Sequence, residues 1–170
     1  SLENAIDGAL QRGFTEPNPL IDLAGRDALR KTVILAKTIG LSTGIGDVRQ
    51  DQLLDHSYPD PDSFRDEGLP RLAERLASIH RPGTVTCYVG TVESSGTVTL
   101  GLRRFPQDSV WGTLVPSENL FLITTERFGN VPVAVRGVGG GPILTAAGVL
   151  ADIIKAAQQE QGAYAPGISR

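Results

Sequence analysis

The spacing of apolar residues changes near residue 84, and this change limits the folds open to the chain. Before it, apolar positions recur every three or four residues, as in the amphipathic segment 2–12. After it, TVTCYVGTV (84–92) and TVTLGLRRF (97–105) alternate about a Ser-Ser-Gly turn, which predicts a β-hairpin. NLFLITTERF (119–128) and VPVAVRG (131–137) predict two more strands, joined around Gly129-Asn130.

Helices are predicted before and after these strands in the sequence. The helical segments are 2–12, 25–39, a charged surface helix 64–79 whose first turns are interrupted by Gly68 and Pro70, and 145–159. DVRQDQLL (47–54) is compatible with a short helix, and SYPDPDSF (57–64) predicts a polar turn. We therefore expect an α+β fold, with helices packed on one face of a mostly antiparallel or mixed sheet. Residues 1–160 are expected to form the domain, and residues 161–170 a flexible tail.

Composition excludes several classes of protein. With a net charge of −3 over 170 residues the chain has no basic stripe, which argues against a nucleic-acid or peripheral membrane protein. Its longest apolar run, GPILTAAGVLADII, is too short and too rich in glycine to span a bilayer. The single cysteine, Cys87, rules out a disulfide framework and fits a reducing compartment such as the cytoplasm. The chain begins at Ser1 and contains no methionine, so we expect it to be a piece of a longer protein.

The first candidate site is the charged segment GFTEPNPLIDLAGRDALRK (13–31). Asp27 and Lys31 are four residues apart on a predicted helix, and a surface ion pair worth roughly 0.3 to 0.5 kcal/mol is the simplest explanation. A helical wheel places Leu35, Ala28 and Leu29 in the core sector. It puts the two charged residues at the edge of that sector, where partial desolvation would favour a neutral amine. Glu16 and Asp22 lie on the proline-stiffened loop before this helix, and each could simply be solvated or cap a turn. Together the three acids and the lysine could hold an ammonium group and relay a proton.

The second candidate is the glycine cluster in VRGVGGGPILTAAG, which could be a helix-packing turn or a loop that contacts a ligand. It is not a dinucleotide fingerprint, because it does not follow the first strand of a βαβ unit. The remaining single residues favour ordinary surface or packing positions. They are His56, His80, Cys87, Tyr88 and Trp111.

Taken together, the two segments resemble homoserine dehydrogenase. The family's substrate-domain motif is roughly G-Y-x-E-x-D-P-x-x-D-x-x-G-x-D-x-x-x-K. The chain matches it at seven positions with the same spacing: Gly13, Glu16, Pro19, Asp22, Gly25, Asp27 and Lys31. The segment TTERFGNVPVAVRGVGGGPILTAAGVLADIIK (124–155) resembles the family's final strands, glycine loop and helix. Phe14 and Asn18 depart from the motif, where the family usually has tyrosine and aspartate.

The resemblance implies an NAD- or NADP-dependent enzyme that interconverts L-aspartate 4-semialdehyde and L-homoserine, in the pathway to threonine, methionine and isoleucine. Lys31 would be its general acid and base, and Asp27 would hold the substrate and orient Lys31. Glu16 would bind the substrate, with Asp22 nearby, and Gly13 and Gly141 would approach the cofactor.

The resemblance also implies a homodimer, and a Rossmann domain ahead of this region without which the chain is expected to be inactive. The apolar face of the last helix, Val149, Leu150 and Ile153, would then be exposed. Two alternatives stay open: a non-catalytic homologue that dimerises or senses an amino acid, and a dehydrogenase for a related amino alcohol.

Overall fold

The structure is a computed structural model that describes residues 1–15, 17–54, 56–116 and 118–162, with side chains up to residue 158. The chain forms two compact units, Ser1–Pro116 and Ser117–Arg170. The helices of the first unit are α1 (Leu2–Gln11), α2 (Leu20–Leu23), α3 (Arg26–Thr38), α4 (Pro61–Ser63) and α5 (Leu69–Ile79). Its strands are β1 (Arg49–Gln50), β2 (Thr84–Val92) and β3 (Val98–Pro106).

The sheet of the first unit has the strand order β1-β3-β2. Strands β2 and β3 form the predicted antiparallel hairpin, which runs from the pair Thr84 and Pro106 to the pair Val92 and Val98. Strand β1 pairs with β3 in parallel. The unit is thus the expected α+β arrangement, with a mixed sheet.

The expected short helix at 47–54 is wrong. A 3₁₀ turn covers Ile45–Asp47, and the backbone then joins the sheet as β1. The N–H of Asp51 donates to the carbonyl of Leu100 at 2.8 Å, which continues this pairing. The bonds that decide the conformation therefore come from residues about fifty positions away, and a local pattern cannot contain them.

The polar turn expected at 57–64 is also shorter than predicted. Asp60 caps a helix that starts at Pro61, since its Oδ1 accepts from the N–H of Ser63 at 2.7 Å. The helix continues through a π-helical turn, Phe64–Gly68, into α5, so Gly68 and Pro70 do not interrupt it. Gly68 is needed for space: a Cβ there would lie 2.6 Å from Cζ of Tyr58. Tyr58 in turn packs edge-on against Phe64, which is buried beside Leu54 and Leu72.

Helix α3 packs on the β2–β3 hairpin. Its buried residues are Thr32, Val33 and Ala36, and the buried residues of β3 are Val98 and Leu100. The helical wheel assigned Leu35 to the core, and this is wrong because Leu35 is 41% exposed. Its neighbour Ile34 is 60% exposed. The buried stripe is rotated toward Thr32 because the hairpin has a glycine, Gly90, where that side chain packs.

The second unit contains β4 (Glu118–Ile123), β5 (Val133–Val138) and α6 (Pro142–Gly162). The two strands pair antiparallel, and an ion pair of 2.5 Å joins Arg136 of β5 to Glu118 of β4. Strand β4 ends five residues before the predicted strand did. Helix α6 starts three residues earlier than predicted and includes residues 161 and 162, which were assigned to the tail; residues 163–170 lie outside the described part.

Candidate active site

The loop between α1 and α3 is folded back on itself by local hydrogen bonds. Gly13 ends α1 with a φ of +66°, a conformation that favours glycine. The hydroxyl of Thr15 donates to Oδ2 of Asp22 and so ties the start of the loop to α2. Oδ1 of Asn18 accepts from the N–H of Leu20 at 3.0 Å. Aspartate could accept the same bond, so Asn18 keeps the turn and removes one negative charge.

Asp27 and Lys31 form an ion pair on the outer face of α3. Nζ of Lys31 lies 2.7 Å from Oδ2 of Asp27, and the two side chains are 60% and 66% exposed. The expectation that Lys31 is partly desolvated at the core edge is therefore wrong for the part of the chain that the structure describes. The pair is instead displayed to solvent, where it can meet a ligand.

The junction between the loop and α3 rests on the sheet. Gly25 is buried with a φ of +67°, and a Cβ on it would lie 2.9 Å from the hydroxyl oxygen of Tyr88. That oxygen accepts from Nε2 of Gln50 at 3.1 Å. Sequence reasoning missed Thr15 and Gln50 and assigned Tyr88 only to packing. The one available signal was an isolated glycine at the start of a helix together with a tyrosine in a strand of the sheet.

The predicted site residues are thus placed as follows. Asp27 and Lys31 are brought into contact, and Asp22 lies on α2, joined through Gly25 to the start of α3, because the N–H of Gly25 donates to the Asp22 carbonyl at 2.9 Å. Glu16 lies outside the described residues. The segment 13–31 therefore presents the carboxylate of Asp22 and the Asp27–Lys31 pair on one short stretch of polypeptide.

The glycine cluster of the second unit serves two different needs. A Cβ at Gly139 would collide with the side-chain amide of Asn119, so Gly139 is required for packing. Gly141 has a φ of +113° and open space around its missing Cβ, and its carbonyl accepts from the N–H of Thr145 in the first turn of α6 at 3.0 Å. The backbone conformation at position 141 therefore favours glycine, and the missing side chain leaves this part of the backbone accessible.

The other single residues occupy the ordinary positions that were predicted for them. Cys87 is half-buried in β2, and this burial raises the pKa of its thiol. Trp111 stacks on Phe105 with ring centroids 4.3 Å apart. His56 and His80 are exposed. In the described ranges, no helix has the length and apolar character needed to cross a bilayer.

Comparison with solved structures defines the class of fold. The chain is similar to a homoserine dehydrogenase from S. aureus, with a TM-score of 0.62 at 19% identity, over 99% of this chain and 39% of that one. The fold of this chain therefore corresponds to part of that larger protein.

The sequence comparison identifies the family. The family model described as homoserine dehydrogenase matches residues 1–154, and the chain belongs to this family. A homoserine dehydrogenase of Emericella nidulans is 34% identical over 162 residues, which cover 88% of this chain and 44% of that protein. The bifunctional aspartokinase/homoserine dehydrogenase 2 of Escherichia coli is 31% identical over 162 residues, which cover 90% of this chain and 20% of that protein. The chain thus spans less than half the length of either relative.

Proposed function

We propose that the complete gene product containing this chain is an NAD- or NADP-dependent dehydrogenase that interconverts L-homoserine and L-aspartate 4-semialdehyde. The observation that carries the proposal is the exposed Asp27–Lys31 pair, 2.7 Å apart, within the segment that matches the family motif. In this proposal residues 1–160 form the substrate-binding and dimerisation domain, and a separate nucleotide-binding domain completes the enzyme.

Lys31 transfers the proton of the reaction. When homoserine is oxidised, its hydroxyl loses a proton to the amine of Lys31, and a bound NAD(P) would accept the hydride from C4. In the reverse direction the Lys31 ammonium returns this proton to the forming alkoxide. An ammonium group has three donors, and the carboxylate of Asp27 accepts one of them. This bond fixes the direction of the remaining two, which is the orienting role assigned to Asp27.

The acids before α3 bind the substrate. Glu16 and Asp22 hold the ammonium group of homoserine, because a charge-assisted hydrogen bond to a carboxylate is stronger than one between neutral groups. Thr15 supports this role, since its hydroxyl donates to Oδ2 of Asp22 and so limits the rotation of that carboxylate.

The cofactor supplies the acceptor or donor of the hydride. Gly13 and Gly141 each fit a contact with it, because both have positive φ. Among the described residues, apart from the two chain neighbours of each glycine, no atom lies within 4 Å of the position that a Cβ would take. A flat ring could approach the backbone at such positions without meeting a side chain. Each glycine by itself offers only a small contact area, so most cofactor contacts belong to the proposed nucleotide-binding domain.

The assembly is proposed to be a homodimer. Phe121, Ile123, Val133 and Val135 lie on one face of the β4–β5 pair, since Phe121 pairs with Val135 and Ile123 with Val133, and all four are between 39% and 53% exposed. A two-stranded sheet is marginal in water without a partner for its apolar face. The unpaired Cys87 supports a cytoplasmic location.

A dehydrogenase for a related amino alcohol is the second candidate. Phe14 and Asn18 favour it because they change the polarity of residues 13–25, the segment between α1 and α3 that we call the substrate loop. A substrate panel on the complete gene product distinguishes the candidates. L-Homoserine should support NAD(P) reduction, 4-hydroxybutanoate should be poor because it lacks the ammonium group, and L-serine should be poor because it is one methylene shorter. Reduction with another amino alcohol but not with homoserine would support the second candidate. Homoserine binding by calorimetry without any reduction would indicate a non-catalytic homologue.

A further inference from the structure

The N-terminal end of α3 rests on the side chain of Tyr88. Gly25, the last residue before the helix, is buried, and a Cβ there would lie 2.9 Å from the tyrosine hydroxyl oxygen and 3.2 Å from Cε1. The first distance leaves no room for a Cβ, and the second would require the ring to shift by a few tenths of an ångström. The backbone of Gly25 therefore lies close against the ring edge and hydroxyl of Tyr88.

Tyr88 is itself held from two directions. It lies in the middle of β2, where it pairs with Leu102 of β3. Its hydroxyl accepts from Nε2 of Gln50 at 3.1 Å, and Gln50 lies in β1 on the far side of β3, paired with Leu100. The bond between the two side chains spans the central strand, so the hydroxyl links the two outer strands, β1 and β2, across β3.

A second close contact holds α3 farther along the helix. The side chain of Thr32 occupies the space beside Gly90, two residues beyond Tyr88 on the same face of β2, and a Cβ at Gly90 would collide with its hydroxyl. Thr32 is 4% exposed, and its hydroxyl donates to the carbonyl of Ala28 at 2.8 Å. The helix thus has two such contacts. Removing the contact between Gly25 and Tyr88 would let its first turns move while Thr32 remains packed against Gly90.

Those first turns carry the Asp27–Lys31 pair. Gly25 also joins them to the substrate loop, because its N–H donates to the carbonyl of Asp22 and its own carbonyl accepts from the N–H of Leu29, both at 2.9 Å. A shift of the Gly25 backbone therefore changes the position of Lys31 relative to Asp22. A displacement of about 1 Å in a catalytic group can lower the rate about 100-fold.

We propose that Tyr88, anchored by Gln50, is a positioning residue that sets the location of the Asp27–Lys31 pair by fixing Gly25 at the start of α3. The inference rests on the proposed function, since it assigns Tyr88 a role in that same proton transfer. Tyr88 does not touch the substrate in this account. It acts through the backbone of α3.

The test compares Tyr88→Phe with Tyr58→Phe in the complete gene product. Each variant loses one hydroxyl, and Tyr58 packs on Phe64 in the core. Tyr88→Phe should lower kcat for homoserine oxidation on the order of tenfold, with KM changed by less than about twofold, because the misplaced group acts in the chemical step. Tyr58→Phe should leave both constants near those of the parent protein. Equal kcat values for the two variants, at matched thermal unfolding midpoints, would overturn the inference.

A double-mutant cycle separates positioning of Lys31 from a general structural effect. In a Lys31→Ala background, Tyr88→Phe should have little further effect, because the group that it positions is absent. A loss of the same factor in both backgrounds would show that Tyr88 does not act through Lys31. A different result would contradict the proposed function: the single variant Lys31→Ala would retain the parent rate. A slow Lys31→Ala variant combined with a fully active Tyr88→Phe variant overturns only the inference about Tyr88.

Discussion

Nζ of Lys31 lies 2.7 Å from Oδ2 of Asp27, on the face of α3 opposite the residues that pack on the sheet. Both side chains are more than half exposed, so the pair contributes little to folding. The proposed role of the pair in proton transfer can therefore be separated from its small contribution to stability. This difference makes the role of the pair testable.

The substitution Asp27→Asn should separate activity from stability. It should lower kcat at least about tenfold, because Lys31 loses the bond that directs its N–H groups. The free energy of unfolding should change by only roughly 0.3 to 0.5 kcal/mol, as for other exposed helical ion pairs. Asp152→Asn is the matched control, since Asp152 forms an exposed pair with Lys155 at 3.8 Å on α6. A large fall in the unfolding midpoint of Asp27→Asn alone would assign the pair a structural role.

Thr15→Val should weaken substrate binding. It keeps the shape of the side chain and removes the hydroxyl that donates to Asp22. We expect KM for homoserine to rise roughly three- to tenfold with kcat little changed, because a hydrogen bond that orients a charged group contributes to ground-state binding. Thr38→Val is the control: the Thr38 hydroxyl donates to the carbonyl of Ile34 at 2.8 Å, at the other end of α3. An unchanged KM in Thr15→Val would show that the Thr15 hydroxyl does not orient Asp22 for substrate binding.

Gly90→Ala should destabilise the first unit through Thr32. The added methyl would collide with the Thr32 side chain, and overpacking of this kind costs about 1 to 3 kcal/mol. Thermal unfolding of the single and double variants gives the measurement. In a Thr32→Ala background the cost of Gly90→Ala should shrink, because the colliding atoms are gone. Additive losses would show that α3 does not rest on Gly90.

Cys87 should react slowly with alkylating reagents near neutral pH. Burial raises the pKa of its thiol, and only the thiolate is nucleophilic. Folding therefore favours the protonated thiol; its contribution to stability is present below the pKa of the unfolded chain and is lost as the pH rises through the folded-state pKa. Peptide mapping after iodoacetamide treatment at pH 8 should show faster labelling in urea than in buffer. Equal labelling rates would contradict the burial.

Local pattern predicts the parts of the fold whose interactions are local. Alternation over 84–105 predicts the β2–β3 hairpin to within one residue, because the turn and both strands lie in one segment. The breaker-free run after Gly25 predicts α3 in the same way. The spacing of Asp27 and Lys31 predicts their ion pair, which the structure contains.

The missed features depend on residues far apart in the chain. Strand β1 exists because Arg49 and Gln50 pair with Thr99 and Leu100. The buried face of α3 is decided by Gly90, so a wheel built from hydrophobicity alone assigned Leu35 to the core. The contact of Tyr88 with Gly25 requires the sheet and the helix to be assembled first. Side-chain burial and positioning contacts of this kind depend on how distant segments pack together. The sequence of a single segment does not contain that information.

The central claim is that Lys31 transfers the proton in homoserine oxidation, and one pair of variants tests it most directly. Lys31→Ala and Lys37→Ala each remove an exposed lysine from α3, and Lys37 lies in the last turn, away from the substrate loop. Homoserine-dependent NAD(P) reduction by the complete gene product should fall at least about 100-fold in Lys31→Ala and stay near the parent rate in Lys37→Ala. A Lys31→Ala variant that keeps the parent kcat would contradict the account.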